Sequence, residues 1–340
     1  HKCIMSISPD SPQGYIFEVD LEYPEELHDY HNDYPLAVEI LSPTGKPEDK
    51  KLIPNLYNKQ NYVCHYRMLQ FYIRHGLVLT KVHRAISFEQ SHFMEPYIMR
   101  NTELRTKATT DFDKDFFKLL NNSCFGKTME NLHKRKDVRL VTTESRAIKL
   151  TAKPEYTGYK EFSESLFAVT MKKKFIELDK PVFIGMTVLE LSKLLMLEYF
   201  YEYFKPKYPD CKLLYTDTDS MILDVPTDDL YEDLKTELFH YDMSDYPKDH
   251  PLHSAQNKKV PGKMKDELNG VPIIEYVGLR SKMYSIEYID GTKSKAKGIK
   301  KTAIKNKDIR HEHYKHVLDG DIEMPDYPNK SIRSNNHKLE

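Results

Sequence analysis

An α+β fold is predicted by three features of the sequence. A long amphipathic helix spans 188–204, an apolar–acidic–apolar stretch that reads as a hairpin follows it, and strand-like runs lie on both sides. That order produces helices packed on one face of an antiparallel sheet. At 340 residues the chain can bury substantial cores, and its size suits two or three subdomains.

Residues 1–60 are rich in Pro, Asp, Glu and Tyr and predict one strand, Tyr15-Ile16-Phe17-Glu18-Val19-Asp20-Leu21, with irregular connection through Pro54. Asp20-Leu21-Glu22 matches the Asp-x-Glu of a proofreading exonuclease, but three residues without partner motifs read better as a strand end with solvated acids. From Lys59, Tyr62, Tyr66, Leu69, Phe71, Tyr72 and Ile73 recur at helical steps until Gly76. A short strand over 77–82 and a further helix from Glu89 come next. Arg67, Arg74, Lys81, His83, Arg84, Arg100 and Arg105 are interleaved with these aromatics. The mixture suits a nucleic-acid groove, since cations neutralise phosphate and rings stack on bases, although an amphipathic helix pair with solvated charges explains it as well.

The stretch Lys114-Asp115-Phe116-Phe117-Lys118-Leu119-Leu120-Asn121-Asn122-Ser123-Cys124-Phe125-Gly126-Lys127 predicts a helix for most of its length. Lys114, Lys118, Asn122 and Phe125 then share one face, which offers ammonium groups, an amide and an aromatic plane. Gly126 lets a ligand or another backbone approach. Phe116, Leu119 and Leu120 are assigned to packing. Asn, Ser and Gly are poor helix formers, so their cluster invites a functional reason.

Lys134-Arg135-Lys136 and Lys172-Lys173-Lys174 flank two strand-like runs, 139–143 and 166–171. They suit either a solvated face or a phosphate track. Gly185 opens the long helix, whose Leu189, Leu191, Leu194, Leu195, Leu197, Tyr199 and Phe200 supply core; Pro206 and Pro209 end it. Residues 224–265 read as loop with one short helix over 229–239. Strands are expected over 274–279 and 283–288. Lys293, Lys295, Lys297, Lys300, Lys301, Lys305 and Lys307 make the segment after Gly291 the most cationic part of the chain, and the tail from Pro325 has little apolar content.

The hairpin is Leu213-Leu214-Tyr215-Thr216-Asp217-Thr218-Asp219-Ser220-Met221-Ile222-Leu223. In an extended backbone, Asp217 and Asp219 project to one face with α-carbons roughly 6.6 Å apart, and Thr218 faces away. Two acids so placed can gather hydrated divalent cations.

Composition narrows the alternatives. With 51 basic and 52 acidic residues, the whole-molecule field favours no polyanionic partner, so local patches must decide. Cys3, Cys64, Cys124 and Cys211 are far apart with no metal spacing, which indicates neither zinc nor a disulfide framework and fits a reducing, intracellular compartment. No run reaches membrane-spanning length. A chain starting at His1 reads as a piece of something longer.

Tyr215-Thr216-Asp217-Thr218-Asp219-Ser220, Lys118-x-x-x-Asn122-Ser123-x-Phe125-Gly126 and Lys282-x-Tyr284 resemble, in this order, motif C, motif B and the Lys-x-Tyr motif of family B DNA polymerases. The similarity is to the protein-primed branch of phages, adenoviruses, linear plasmids and Maverick/Polinton-type transposons. Asp20-Leu21-Glu22-Tyr23-Pro24-Glu25-Glu26-Leu27-His28-Asp29-Tyr30-His31-Asn32-Asp33-Tyr34-Pro35-Leu36 resembles a stretch downstream of motif A in the transposon members. The resemblance implies a right-hand fold with an antiparallel palm sheet, helical fingers and a small thumb. Its parts would be a palm-proximal connecting region over 1–58, fingers with motif B over 59–135, palm with motif C and Lys-x-Tyr over 136–290, and a basic thumb-like segment with a tail over 291–340.

The implied activity is template-dependent addition of deoxynucleotides to a primer 3′ end by two-metal-ion chemistry. Asp219 is the principal ligand and Asp217 its support, for two Mg2+ ions or Mn2+ in their place. Lys114, Lys118, Asn122, Phe125 and Gly126 are the implied nucleotide-binding residues. Ser123, Tyr215, Thr218, Lys282, Tyr284 and Lys297 are the implied primer–template contacts. Partners would be a DNA primer-template, deoxynucleoside triphosphates and a terminal priming protein, with no membrane.

Phe125 stands where the family usually has Tyr. No Asp-x-x-Ser-Leu-Tyr-Pro or Asp-x-x-Asn-Leu-Tyr-Gly occurs, so motif A is not in this sequence, and no exonuclease domain is recognisable. The chain is then expected to be a fragment, a truncated gene product or a decayed mobile-element copy. Two rivals are a catalytically dead nucleic-acid-binding remnant and an Asp-x-Asp phosphatase or phosphotransferase of the haloacid dehalogenase type. The latter needs its motif on a parallel strand followed by loop and helix.

Overall fold

In a computed structural model, the described residues are 2–299, 301–305, 309–321, 334–335 and 338–339. Lys300, Lys307 and most of the tail beyond Pro325 lie outside them. The chain begins with a short helix α1 (Lys2–Met5), strand β1 (Gln13–Glu22), helix α2 (His28–His31) and the small hairpin β2 (Glu39–Leu41) and β3 (Lys51–Ile53). Strand β4 (Lys59–His65), helix α3 (Tyr66–Arg74), strand β5 (Val78–Glu89) and helices α4 (Glu95–Lys107) and α5 (Asp111–Thr128) follow. Next come β6 (Lys136–Val141), α6 (Glu144–Thr151), β7 (Tyr156–Ser163), β8 (Leu166–Lys172) and α7 (Val182–Glu198). A π-helical turn, Tyr199–Phe204, continues α7 into the short α8 (Lys205–Lys207). The hairpin β9 (Lys212–Thr216) and β10 (Met221–Asp224), helix α9 (Leu230–Leu234), strands β11 (Ile273–Arg280), β12 (Met283–Tyr288) and β13 (Gly291–Ala296), and helices α10 (Lys301–Lys305) and α11 (His311–Asp319) complete it.

The α+β class is observed: among the described residues the strand ladders are antiparallel, and helices pack beside them. The chain forms two compact units, one of residues 1–121 with 186–324 and one of residues 122–185 with 325–340.

In the larger unit, β1 is the central strand of the order β4-β1-β5. Its alternation buries Val19 and Leu21 almost completely, as period two requires of a strand with one face on the core. The helix expected from Lys59 begins later. Lys59–His65 is strand β4, paired to β1 through Ile16 with His65 and Val19 with Tyr62, and the helix starts at Tyr66. His65 marks the change, because its Nδ1 accepts from the Arg67 amide at 3.4 Å and caps α3. The strand expected over 77–82 runs on to Glu89, held along its length by β1. Tyr66, Met68, Leu69, Phe71 and Tyr72 of α3 pack with Leu194, Leu197, Phe200 and Tyr201 into the main core. Each such side chain contributes roughly 1.5–3 kcal/mol by burial. Leu189 and Leu195, assigned to core in the sequence, are 39% and 41% exposed. Leu213, Met221 and Leu223 seat the β9–β10 hairpin on that core.

Farther along, β11, β12 and β13 form one sheet, so the boundary expected at 290/291 falls in the turn between two paired strands. Helix α11 is stapled to this sheet by His311, which bonds Ser285 Oγ at 2.9 Å and Glu275 Oε2 at 3.0 Å. The smaller unit is built on a sheet of order β6-β8-β7, with Val141, Leu150, Val169 and Met171 as its core. Gly185 does not open α7 but sits inside it, where an added Cβ would collide with the Met129 side chain.

Candidate active site

The hairpin reading holds at Asp217 and Asp219, with one correction. Met221 pairs with Thr216 and Ile222 with Tyr215, so β9 and β10 are antiparallel. This geometry is incompatible with the haloacid dehalogenase alternative, which needs a parallel strand leading to a helix. The tip is not extended, however. The Asp219 amide donates to the Asp217 carbonyl at 2.7 Å across Thr218, whose φ is +63°. That is a γ-turn of the strained, positive-φ kind, and Thr218 does not simply point away from its neighbours. The Asp217 amide donates to the Ser220 carbonyl at 3.1 Å, and Ser220 Oγ to the Asp217 carbonyl at 3.3 Å, closing the loop. A β-branched residue at positive φ is an outlier, and such strain collects at functional sites.

Lys282 and Tyr284, distant in sequence, meet this tip. Arg280 pairs with Met283, so Ser281-Lys282 is a two-residue turn, and Lys282 also has positive φ, +59°. Its Nζ lies 3.2 Å from Asp217 Oδ1. The Tyr284 ring centroid is 4.6 Å from that of Tyr215 and 6.0 Å from that of Tyr276. Burial first, then the Asp217 charge, raises the Tyr215 hydroxyl above the usual tyrosine range. Burial followed by Tyr215 does the same for Tyr284. These phenols stay protonated and offer neutral hydrogen bonds. Lys297 joins through its amide, which donates to the Lys282 carbonyl at 3.0 Å, and its side chain is exposed.

Lys114, Lys118, Asn122, Ser123, Phe125 and Gly126 all lie within α5. Thr110 caps this helix by accepting from the Asp113 amide at 3.1 Å, while its hydroxyl donates to the Asp113 carboxylate. Asn101 Nδ2 donates to Asn121 Oδ1 at 2.9 Å and ties α4 to α5. No residue of α5 is buried, and Phe116 and Leu119 are exposed rather than packed. Lys114 is paired to Asp111 at 2.9 Å; among the described residues Lys118 has no ion pair. A Cβ at Gly126 would meet nothing within 4 Å, so no packing among the described residues accounts for a glycine in this helix. Among the described residues, no ion pair joins Lys114 or Lys118 to Asp217 or Asp219.

Sequence reasoning missed Asp33, Tyr34 and Tyr276. Asp33 Oδ2 accepts from the Leu213 amide at 3.4 Å, and Tyr34 packs against the same core as Leu213, so the 20–36 stretch supports the hairpin. The only signal was their place in stretches already singled out, 20–36 for Asp33 and Tyr34 and the strand run 274–279 for Tyr276. Asp20 belongs to β1 and is occupied by the Asn61 amide at 2.8 Å and by His83, which hold its carboxyl below the usual range. Arg74, Arg84 and Arg100 are likewise tied to Glu202, Glu18 and Glu103, in keeping with ordinary paired surface charges.

A cation at the hairpin tip can be judged from the donor set. Asp217 and Asp219 supply hard carboxylate oxygens suited to magnesium, and Asp219 is exposed with no ion-pair partner among the described residues. Among those residues the only three-ligand group with atoms within 4.8 Å of one another is Glu275, Glu287 and His311, which includes neither Asp217 nor Asp219; there Lys315 already pairs with Glu275 at 2.9 Å. The tip fits magnesium in kind and lacks a third ligand within that reach. No protein-family model, curated protein or solved structure matches the chain.

Proposed function

We propose that the chain is part of a DNA-directed DNA polymerase of family B type, nearest the protein-primed transposon branch, with a right-hand fold. What carries the reading is the 3.2 Å contact between Asp217 of the Asp-Thr-Asp turn and Lys282 of the Lys-x-Tyr turn, both turns held at positive φ. Two motifs that the resemblance assigns to one centre converge although the sequence separates them widely. The four-part division at 58, 135 and 290 belongs to the same proposal.

In this reading Asp219 and Asp217 hold magnesium, or manganese in its place. When bound, the ions lower the cost of charge developing on the attacking and leaving oxygens. Lys118, with Lys114 one turn earlier, binds the triphosphate and offsets charge as pyrophosphate departs. Asn122 and Phe125 border the nascent base pair, and Gly126 leaves room for it. Tyr284 packs its ring against Tyr215 and fixes the turn from which Lys282 reaches the primer terminus, with Ser123, Thr218 and Lys297 along the primer–template path. The partners are primer-template DNA, deoxynucleoside triphosphates and a terminal priming protein. Among the described residues no helix is long and apolar enough to cross a membrane.

The two carboxylates fall short of a two-ion set, and motif A is not in the sequence. The 340-residue chain should therefore bind primer-template DNA yet extend it poorly. Robust incorporation by the purified chain in a primer-extension assay would overturn that expectation. A binding role without catalysis is the second reading, favoured by the same shortfall and by Lys282 occupying Asp217. Incorporation that appears only when a motif A segment is supplied separates the two.

A further inference from the structure

Within the smaller unit, a cavity of about 420 Å³ lies at the end of the sheet where β6 and β7 begin and β8 ends. Its cationic lining is Arg139, Lys153, Lys172, Lys173 and Lys174, and beside them stands Phe175, 89% exposed. Asp137 neutralises Arg139 at 2.9 Å, and Glu155 neutralises Lys174 at 2.9 Å. Lys153 shares the charge of Glu155 with Lys174, whereas among the described residues Lys172 and Lys173 have no carboxylate partner.

A lysine run is usually a solvated face, but three observations argue otherwise here. The cations surround a concavity of the size that holds a small ligand. Lys172 stands directly opposite Lys136 on the β6–β8 ladder, and like charges so placed repel and destabilise the sheet. An almost fully exposed Phe adjoins the unpaired lysines, gaining nothing from burial. A polyanion relieves the repulsion, and one carrying unstacked rings also covers the Phe.

We infer that this cavity binds single-stranded nucleic acid, with phosphates on Lys153, Lys172 and Lys173 and a base stacked on Phe175. The site is separate from the Asp217–Lys282 centre and does not rest on that centre's chemistry. A stacked duplex keeps its base faces covered, so Phe175 selects the single strand.

The test is fluorescence anisotropy of a labelled oligothymidylate with the full chain across a salt series. Lys172→Ala/Lys173→Ala should lower the log–log salt slope by about 0.7 for each phosphate no longer neutralised. Phe175→Ala should weaken binding about five- to hundredfold. Lys172→Arg/Lys173→Arg and Phe175→Tyr should restore binding, which separates an effect on the ligand from an effect on folding. Wild-type affinity in both alanine variants would overturn the inference. So would duplex binding that Phe175→Ala weakens as much as single-strand binding, or displacement by polyphosphate with no effect of Phe175→Ala, which would mark a mere polyanion patch. The polymerase reading is tested by primer extension and this one by single-strand anisotropy of the Lys172, Lys173 and Phe175 variants, so failure of either gives a different result.

Discussion

Thr218→Gly isolates the strain at the hairpin tip. An L-residue at left-handed φ costs about 1–2 kcal/mol, and Thr218 sits at +63°. Glycine removes that cost but gives back about 0.5–1 kcal/mol through the greater freedom of the unfolded chain. The Thr218 side chain is exposed and among the described residues its hydroxyl reaches only Asp217 Oδ1, at 3.4 Å, so its removal takes away little favourable energy. The balance is a stabilisation of roughly 0.5–1 kcal/mol, or about 1–3 °C in Tm for a unit of this size. Thermal unfolding followed by circular dichroism measures it, with Thr218→Ala as the control that keeps the strained backbone. Primer extension by a chain supplied with motif A should fall for Thr218→Gly, because the turn that fixes Asp217 against Asp219 loosens. A Tm lowered by 3 °C or more, or unchanged extension, would refute the view that strain is kept there for positioning.

Gly126→Ala should stabilise α5 by about 0.8–1.0 kcal/mol, since its Cβ meets nothing, while weakening nucleotide incorporation; equal stability in urea melts would contradict this. Lys118→Ala should lower kcat/KM for nucleotide by about 10²–10³ in an extending chain, and Lys114→Ala less, because Asp111 already engages Lys114; equal losses would reverse that ranking. Burial first, then His75 and His28, lowers His31 from 6.5 to about 4. Between those values the unfolded chain binds a proton that the folded chain does not. Stability is therefore lost as pH falls through this window, by about 3 kcal/mol at its acid end. Denaturant melts at pH 7 and pH 5 should show the loss; because burial also lowers His65 to about 4, His31→Gln should shrink the slope without abolishing it, and an unchanged slope would remove His31 as a cause.

How much of this was legible depended on whether a signal was local. The β9–β10 hairpin and strands β1, β11 and β12 were readable because apolar runs are interrupted by acids or turn residues. The change at His65 was not, because Tyr62 on β4 and Tyr66 on α3 are also one helical step apart, and neither Gly nor Pro divides them. β7 escaped because Tyr156-Thr157-Gly158-Tyr159-Lys160 lacks a buried alternation; β8 supplies its pairing. The γ-turn was invisible since Thr218 occupies a conformation that composition assigns to glycine. Phe116 and Leu119 were read as core from apolarity alone, yet α5 meets α4 through the polar contacts of Asn121 and leaves these residues exposed. Of the residues named from motifs, Lys282 meets Asp217 and Tyr284 meets Tyr215; Asp33 and Tyr34 carry no motif.

Template-directed incorporation with magnesium by a chain carrying motif A upstream, compared with its Asp219→Ala variant, tests the central claim most directly. Incorporation that the substitution abolishes is the predicted result; incorporation that survives it would contradict Asp219 as the metal ligand and, with it, the polymerase reading.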